Sequence, residues 1–269
     1  MRKVYLKSFS RISVCHPDPD FKSMFSMMEA RRMSLLMKRA SAVSQDALSK
    51  AGLTVPDAVI TGTGYGCIEN TEAFLKALKG VSGQPLRPTH FMQSTHNTVS
   101  SLVAIRLGCH GYNATYSHST VSFESALLDA FIQIGLGYID NALVGAFEES
   151  TPDFCRILEK AGNGHTMVDG QMSFTAASFV LGFTPDNAVC CISDIDIVRN
   201  APALTAGIDA DRVISRADCI RKYGDNLCVS ALGACDAVSL VSSGECSTVI
   251  LDNESEGHPS ASIIFSAVC

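Results

Sequence analysis

The residues most able to do chemistry lie in ATYSHSTVSFESALLDA, residues 114–130. The stretch reads as a strand, a tight turn and a helix. Such an elbow holds a side chain in front of a helix N-terminus, where negative charge is stabilised. Several α/β enzymes hold a nucleophile at such an elbow. The turn supplies Ser117, His118, Ser119, Thr120 and Ser122 but no cysteine, in a chain that has 11. A hydroxyl nucleophile needs a base within hydrogen-bond reach. His118 adjoins Ser117 and Ser119, but neighbours on a strand point to opposite faces, so adjacency alone makes no pair. His96, in STHNT, sits near an expected helix start, where a packing hydrogen bond is its ordinary role. Glu148 and Glu149 end an apolar strand in AFEES, and the sequence identifies no partner for acid–base work.

Other chemistries fit poorly. GTGYG places glycines at 62, 64 and 66, with Cys67 where a dinucleotide fingerprint has its third glycine. There is no GxSxG. The cysteines are scattered, without CxxC or a Cys/His pair at zinc spacing, so no disulfide framework, metal or cofactor is expected. A net charge of −6 without a basic block argues against a nucleic-acid surface. No apolar run reaches the roughly 18 residues of a membrane helix, and MRKVYLKSFSRISV has no signal-type apolar core. A cytoplasmic protein without membrane contact is expected.

Alternating elements must position the elbow. VYLKSFSRIS opens as a strand. FKSMFSMMEARRMSLLMKRASAVSQDALSKAGL has apolar residues at helical spacing and stops at Gly52. DAVITGTGYG is a buried strand entering a glycine turn, and NTEAFLKALKG a helix capped by Asn70 or Thr71. GVSGQPLRPTHF reads as loop, and STHNTVSSLVAIRLG as a helix capped by Ser94 or Thr95. The elbow helix ends near Gly135 or Gly137. NALVGAFEE is a strand. MSFTAASFVLGF and AVCCISDIDIV are strands expected to pair through the TPDN turn. ALGACDAVSLVSSG is a helix, and STVILDN and SASIIFSAV are closing strands. Apolar strands separated by helices imply a layered α/β/α architecture around a central sheet.

Six stretches, in order, resemble the β-ketoacyl synthase family, which has the thiolase fold. ARRMSLLMKRASAVSQDALSKAGL looks like the segment before the strand leading to GTGxG, and DAVITGTGYGCIENTEAFLKAL like that strand, turn and helix. PTHFMQSTHNTVSSLVAIRLGCHGYNATY is similar to the P-x-x-F…N…A-I-x-x-G-x-x-G-x-N stretch before the nucleophile. GYIDNALVGAFEESTP looks like G-x-x-D-x-x-x-x-G-x-x-E, LGACDAVSLV like L-G-A-A-G-A-V-E-A, and SASIIF like the last strand. The resemblance implies a thiolase-like α/β fold with a central mixed sheet across 1–269. Residues 1–160 resemble the synthase N-terminal half, and 161–269 a reduced, truncated second half.

In catalytic synthases the elbow carries a cysteine that takes the acyl group as a thioester. Counting back from Gly137 and Asp140 places Thr120 nearest that position, and a gap would move it to Ser119 or His118. In the family's K-x-x-x-G-H motif, Ser230 stands at the His position and Asp225 at the Lys position. The N-A-H-G-T-x-T motif has no counterpart, RADCIRKYGD occupying that region, and the glycine loop before the last strand reads SEGH. With all three elements replaced, no residue is expected to catalyse condensation.

The pattern resembles chain length factors, the synthase-like subunits that pair with a catalytic synthase in type II polyketide and related fatty-acid-type systems. STHNT and SFESALLDA look most like the version found with aryl polyene and flexirubin-type pigments. The resemblance implies a heterodimer in which this chain shapes the acyl tunnel, meets acyl carrier protein through the complex, and is either poorly stable or homodimeric when alone. The implied interface residues are Phe91, Met92, Ser94, Thr95, His96, Asn97, Asn113, Thr115 and Tyr116. Two other readings stay open. One is an acyltransferase or hydrolase using Ser119 or Thr120 with His118 or His96. The other is a stand-alone acyl or carrier-protein binding module.

Overall fold

A strand that buries alternate residues on one face and the remainder under a second layer belongs in the middle of a sheet. The first strand, β1 (Val4–Ile12), has this pattern and occupies that place. The computed structural model describes residues 1–80, 86–161, 167–168, 170–199 and 208–268. After β1 come α1 (Phe21–Met24), α2 (Met27–Ala30), α3 (Leu35–Ala51), β2 (Ala58–Gly62), α4 (Ile68–Leu78), α5 (Pro88–Met92), α6 (Thr98–Leu107) and β3 (Tyr112–Tyr116). The elbow leads into α7 (Ser122–Leu136), followed by β4 (Asn141–Glu148), α8 (Pro152–Lys160) and a small hairpin of β5 (Met167–Val168) and β6 (Gln171–Met172). The remainder is β7 (Thr175–Gly182), β8 (Cys190–Val198), β9 (Arg212–Ser215), α9 (Arg216–Tyr223), α10 (Val229–Ser242), β10 (Thr248–Asn253) and β11 (Ser260–Ser266).

Nine strands form one mixed sheet in the order β3-β2-β4-β7-β1-β8-β11-β10-β9. Its two faces are read off single strands. In β4, Ala142, Val144 and Ala146 face one core, and Leu143 and Phe147 face another. The first core is filled by α7 and α10, and the second by α3 and α6. Strand β2 is trapped between the two, with all five residues buried. A Cβ on Gly62, its last residue, would collide with the Ser122 carbonyl, so α7 sits directly on the end of β2. Among the described residues ten cysteines are free thiols, and no helix is long and apolar enough to cross a membrane.

Five sequence expectations change. The segment from Phe21 to Ala51 is three helices, because Ser26 with Glu29 forms a capping box and Ser34 starts a new helix by accepting from the Met37 amide. Neither Asn70 nor Thr71 caps α4: Cys67 stands at its start, and the Thr71 hydroxyl donates back to the Cys67 carbonyl at 2.9 Å. Neither Ser94 nor Thr95 caps α6, which begins after Asn97. Strands β7 and β8 do not pair. Strand β1 lies between them, and its Lys7 ammonium holds the TPDN turn through the carbonyls of Thr184 and Asp186, both at 2.5 Å. The loop expected over 80–91 includes the start of α5, while residues 81–85 lie outside the described residues.

The contact between Gly62 and α7 is open to test. Gly62→Ala is expected to destabilise the chain by about 2 kcal/mol, since neither backbone can yield without repacking. Urea denaturation followed by circular dichroism measures it, and an unchanged midpoint would contradict the contact.

Candidate functional site

Among the described residues, strand β3 pairs only with β2, and it ends at Tyr116, where the elbow begins. The Ser117 hydroxyl donates to the Gly64 carbonyl at 3.1 Å. The His118 amide donates to the Ser122 hydroxyl at 2.9 Å, and its Nδ1 lies 3.0 Å from Ser125 Oγ on α7. His118 is therefore turned toward the helix and serves neither candidate hydroxyl. Ser119 has φ of 54°, left-handed backbone in a residue that is not glycine. That conformation lifts the half-buried Ser119 to the tip of the elbow, where its Oγ lies 3.1 Å from Nδ1 of His258. Thr120 turns inward and is 2% exposed; its hydroxyl reaches only the Pro259 carbonyl, at 3.5 Å. His96 lies against Gly66 and takes part in none of these contacts. The histidine that meets an elbow hydroxyl is His258, a pairing that neither His118 nor His96 anticipates.

Beneath the elbow lies a buried polar network. Asn253, the last residue of β10, donates to the Thr120 carbonyl at 2.7 Å and to Glu124 Oε1 at 2.8 Å. Its own carbonyl accepts from Arg216 at 3.2 Å. Arg216 leaves the end of β9 as the first residue of α9, is itself buried, and pairs with Asp225 at 2.9 Å and the Asn226 carbonyl at 3.1 Å. Asn226 bridges Ser173 at 2.7 Å and Thr175 at 2.9 Å. Ser230 is fully buried near the start of α10. Burial pushes the Glu124 carboxyl's pKa up, opposed by the Ser230 hydroxyl, the Asn253 amide and the Arg216 charge. Asp225 is thus an ion-pair partner and Ser230 a neutral lining group. Arg216, Asn253, Asn226 and Glu124 were not anticipated. Only the capping box of Ser215 with Asp218 was a readable sign of where Arg216 enters.

The expected interface residues lie on α5, on the turn into α6 and on the edge strand β3. Phe91 and Met92, on α5, are 59% and 71% exposed. Phe91 rests on Phe74, with ring centroids 5.3 Å apart. Ser94, Thr95, His96 and Asn97 form the turn into α6. Asn113, on β3, exchanges hydrogen bonds with Ser100 of α6 at 3.0 and 3.3 Å, and Thr115 meets Thr61 at 3.3 Å. Tyr116 lies against Asp129 of α7; burial first, and that carboxylate second, raise its pKa. The second edge of β3 has no partner strand among the described residues.

Glu148 explains the glycine turn. Its fully buried carboxyl accepts from the Gly64 amide at 2.5 Å and the Tyr65 amide at 3.1 Å. Glu149 accepts from the Glu69 amide at the start of α4, at 3.0 Å. Both carboxyls hold backbone in place. Burial pushes Glu148 up from 4.5 to about 8 and Glu149 to about 7. The folded chain therefore keeps protons that the unfolded chain releases above pH 4.5, so stability falls as pH rises from there toward 8. Glu148→Gln is expected to remove part of that fall, on the order of a few kcal/mol between pH 5 and 8. Denaturation at a series of pH values reads the slope, and a slope equal to the parent's would contradict the assignment.

Comparison with known proteins extends this geometry. No match to a curated protein sequence was found. Solved structures align from end to end. One, with TM-score 0.79 and 16% identity over 100% of both chains, is a type II polyketide synthase acyl carrier protein in complex with its ketosynthase bound to the hexaketide. The ishigamide ketosynthase/chain length factor gives TM-score 0.78 and 16% identity over 100% of both chains. A ketosynthase in complex with its chain length factor from Xenorhabdus doucetiae gives 0.75 and 12%, over 99% of this chain and 98% of that one. At these identities the likeness shows the fold, a thiolase-like ketosynthase fold around a mixed sheet. The family described as "Beta-ketoacyl synthase, N-terminal domain" matches residues 12–221. With most of its length matched and its strands in this arrangement, the chain belongs to the β-ketoacyl synthase family.

Proposed function

We propose that this chain is a non-condensing β-ketoacyl synthase-like subunit of chain length factor type, which pairs with a catalytic ketosynthase and helps to shape the acyl tunnel. One observation carries the reading. Where condensing chemistry needs a thiol and two histidines, this chain has Ser119 at the strained tip and a closed network of Glu124, Asn253, Arg216 and Asp225 beneath it. The network has no imidazole, and a serine hydroxyl is a much weaker nucleophile than a thiolate at neutral pH.

The expected partner is a catalytic β-ketoacyl synthase, with acyl carrier protein met through the complex and a homodimer formed when the chain is alone. The open edge of β3 supports pairing: an unpaired edge strand beside exposed apolar side chains is a surface that a second sheet can continue. Strand β3 with Asn113, Thr115 and Tyr116 would face the partner, flanked by Phe91, Met92 and the 94–97 turn. An aryl polyene or related polyketide or fatty-acid-type pathway and a cytoplasmic location complete the proposal. So does a single synthase-like domain over 1–269, with a second half from 161 reduced relative to a full synthase.

The test is co-expression with a complete ketosynthase from the same gene neighbourhood. Size exclusion with light scattering is expected to give a one-to-one complex, and carrier-protein condensation is expected to require this chain. The double variant Phe91→Asp/Met92→Asp changes only exposed side chains, so it should fold as the parent does and weaken the complex about tenfold or more. Two separate proteins and an indifferent synthase would overturn the reading.

A further inference from the structure

Ser119 and His258 form a nucleophile–base pair that the subunit role does not use. The two residues lie far apart in sequence, on the elbow before α7 and on the turn between β10 and β11, yet Oγ and Nδ1 meet at 3.1 Å. In the tautomer with the proton on Nε2, Nδ1 accepts the serine proton, the arrangement that activates a hydroxyl. Ser119 is also the residue held in left-handed backbone at the tip of the elbow. Helix α7 begins just beyond, and the Ser122 amide donates to the Ser119 carbonyl, which fixes Ser119 against the helix start. We propose that Ser119 and His258 hydrolyse activated acyl thioesters, an activity distinct from the proposed pairing with a synthase.

The substrate class follows from the strength of the pair. Among the described residues no carboxylate orients His258, so the base is weaker than in a three-residue relay. A thioester, whose thiol is a good leaving group, is within reach of such a pair; an amide is not. Water is the acceptor because the site is open: Ser119 is half-buried and His258 exposed. Ser119 Oγ attacks the acyl carbon while its proton passes to Nδ1 of His258. The carbon–sulfur bond breaks, and the sulfur leaves as a thiol with that proton, giving an acyl-serine ester. A water molecule then gives its proton to Nδ1 and its oxygen to the acyl carbon. The ester bond breaks, Ser119 recovers the proton, and a free carboxylic acid departs.

The full chain, purified without any synthase, is incubated with a short-chain acyl N-acetylcysteamine thioester. Thiol release is followed colorimetrically, and acyl adducts by intact-protein and peptide mass spectrometry. Release above the buffer rate is expected, with the adduct on the peptide carrying Ser119. Ser119→Ala and His258→Gln should each lower release about 100-fold. His258 is exposed, so its variant should retain the parent's circular dichroism. Cys15→Ser, which removes an exposed thiol outside the elbow, should leave release unchanged. Release that survives Ser119→Ala, or no release above buffer, would overturn the proposal. Neither result bears on complex formation, which is read separately.

Discussion

The hydrogen bonds of Asn253 hold the two ends of this molecule in one register. Its amide donates to the elbow through the Thr120 carbonyl and to α7 through Glu124, and its carbonyl accepts from Arg216 at the end of β9. A single side chain therefore joins the elbow, the central helix and the late strands β9 and β10. A buried amide with its donors and acceptors satisfied is worth most where solvent cannot compete, and removal of one partner leaves the others stranded. The position of the elbow follows from this clamp, and with it the place at which Ser119 meets His258.

The same clamp changes the character of the interior. Arg216 is a permanent cation, and Glu124 is a carboxyl whose charged form burial disfavours. Such a pair orients and seals the interior beneath the elbow.

The strands, the elbow and the late small-residue helix were legible in the sequence, because each is a local pattern: period-two burial, a Ser/Thr-rich turn before a helix, apolar spacing. What was illegible depends on distance. The TPDN turn has the composition of a hairpin, yet Lys7 of β1 occupies it and separates the two strands. Helix starts were misplaced at α4 and α6 because polar residues suited to capping, Asn70 and Thr95, lie within a turn of the true start and bond elsewhere. Thr95 meets Thr98 side chain to side chain at 3.1 Å. At the site, counting from Gly137 left Thr120, Ser119 and His118 open, and the left-handed backbone of Ser119 is not encoded in that count. His258 and Arg216 reach the elbow region only through the sheet order, which no local spacing encodes.

That sheet order also governs how the chain must be made. Strand β1 is synthesised first and sits at the centre, but Ile12 pairs with Ala176 and Val4 with Ile192. Until those residues leave the ribosome, a nine-residue strand has neither neighbour. At about 5–20 residues per second, the wait is on the order of ten seconds or more. Contacts of such sequence separation close slowly, after the loop entropy has been met. The nascent chain therefore carries an unpaired central strand while the residues between Ile12 and Ala176 are made, an interval in which pairing with other chains competes with pairing in its own sheet.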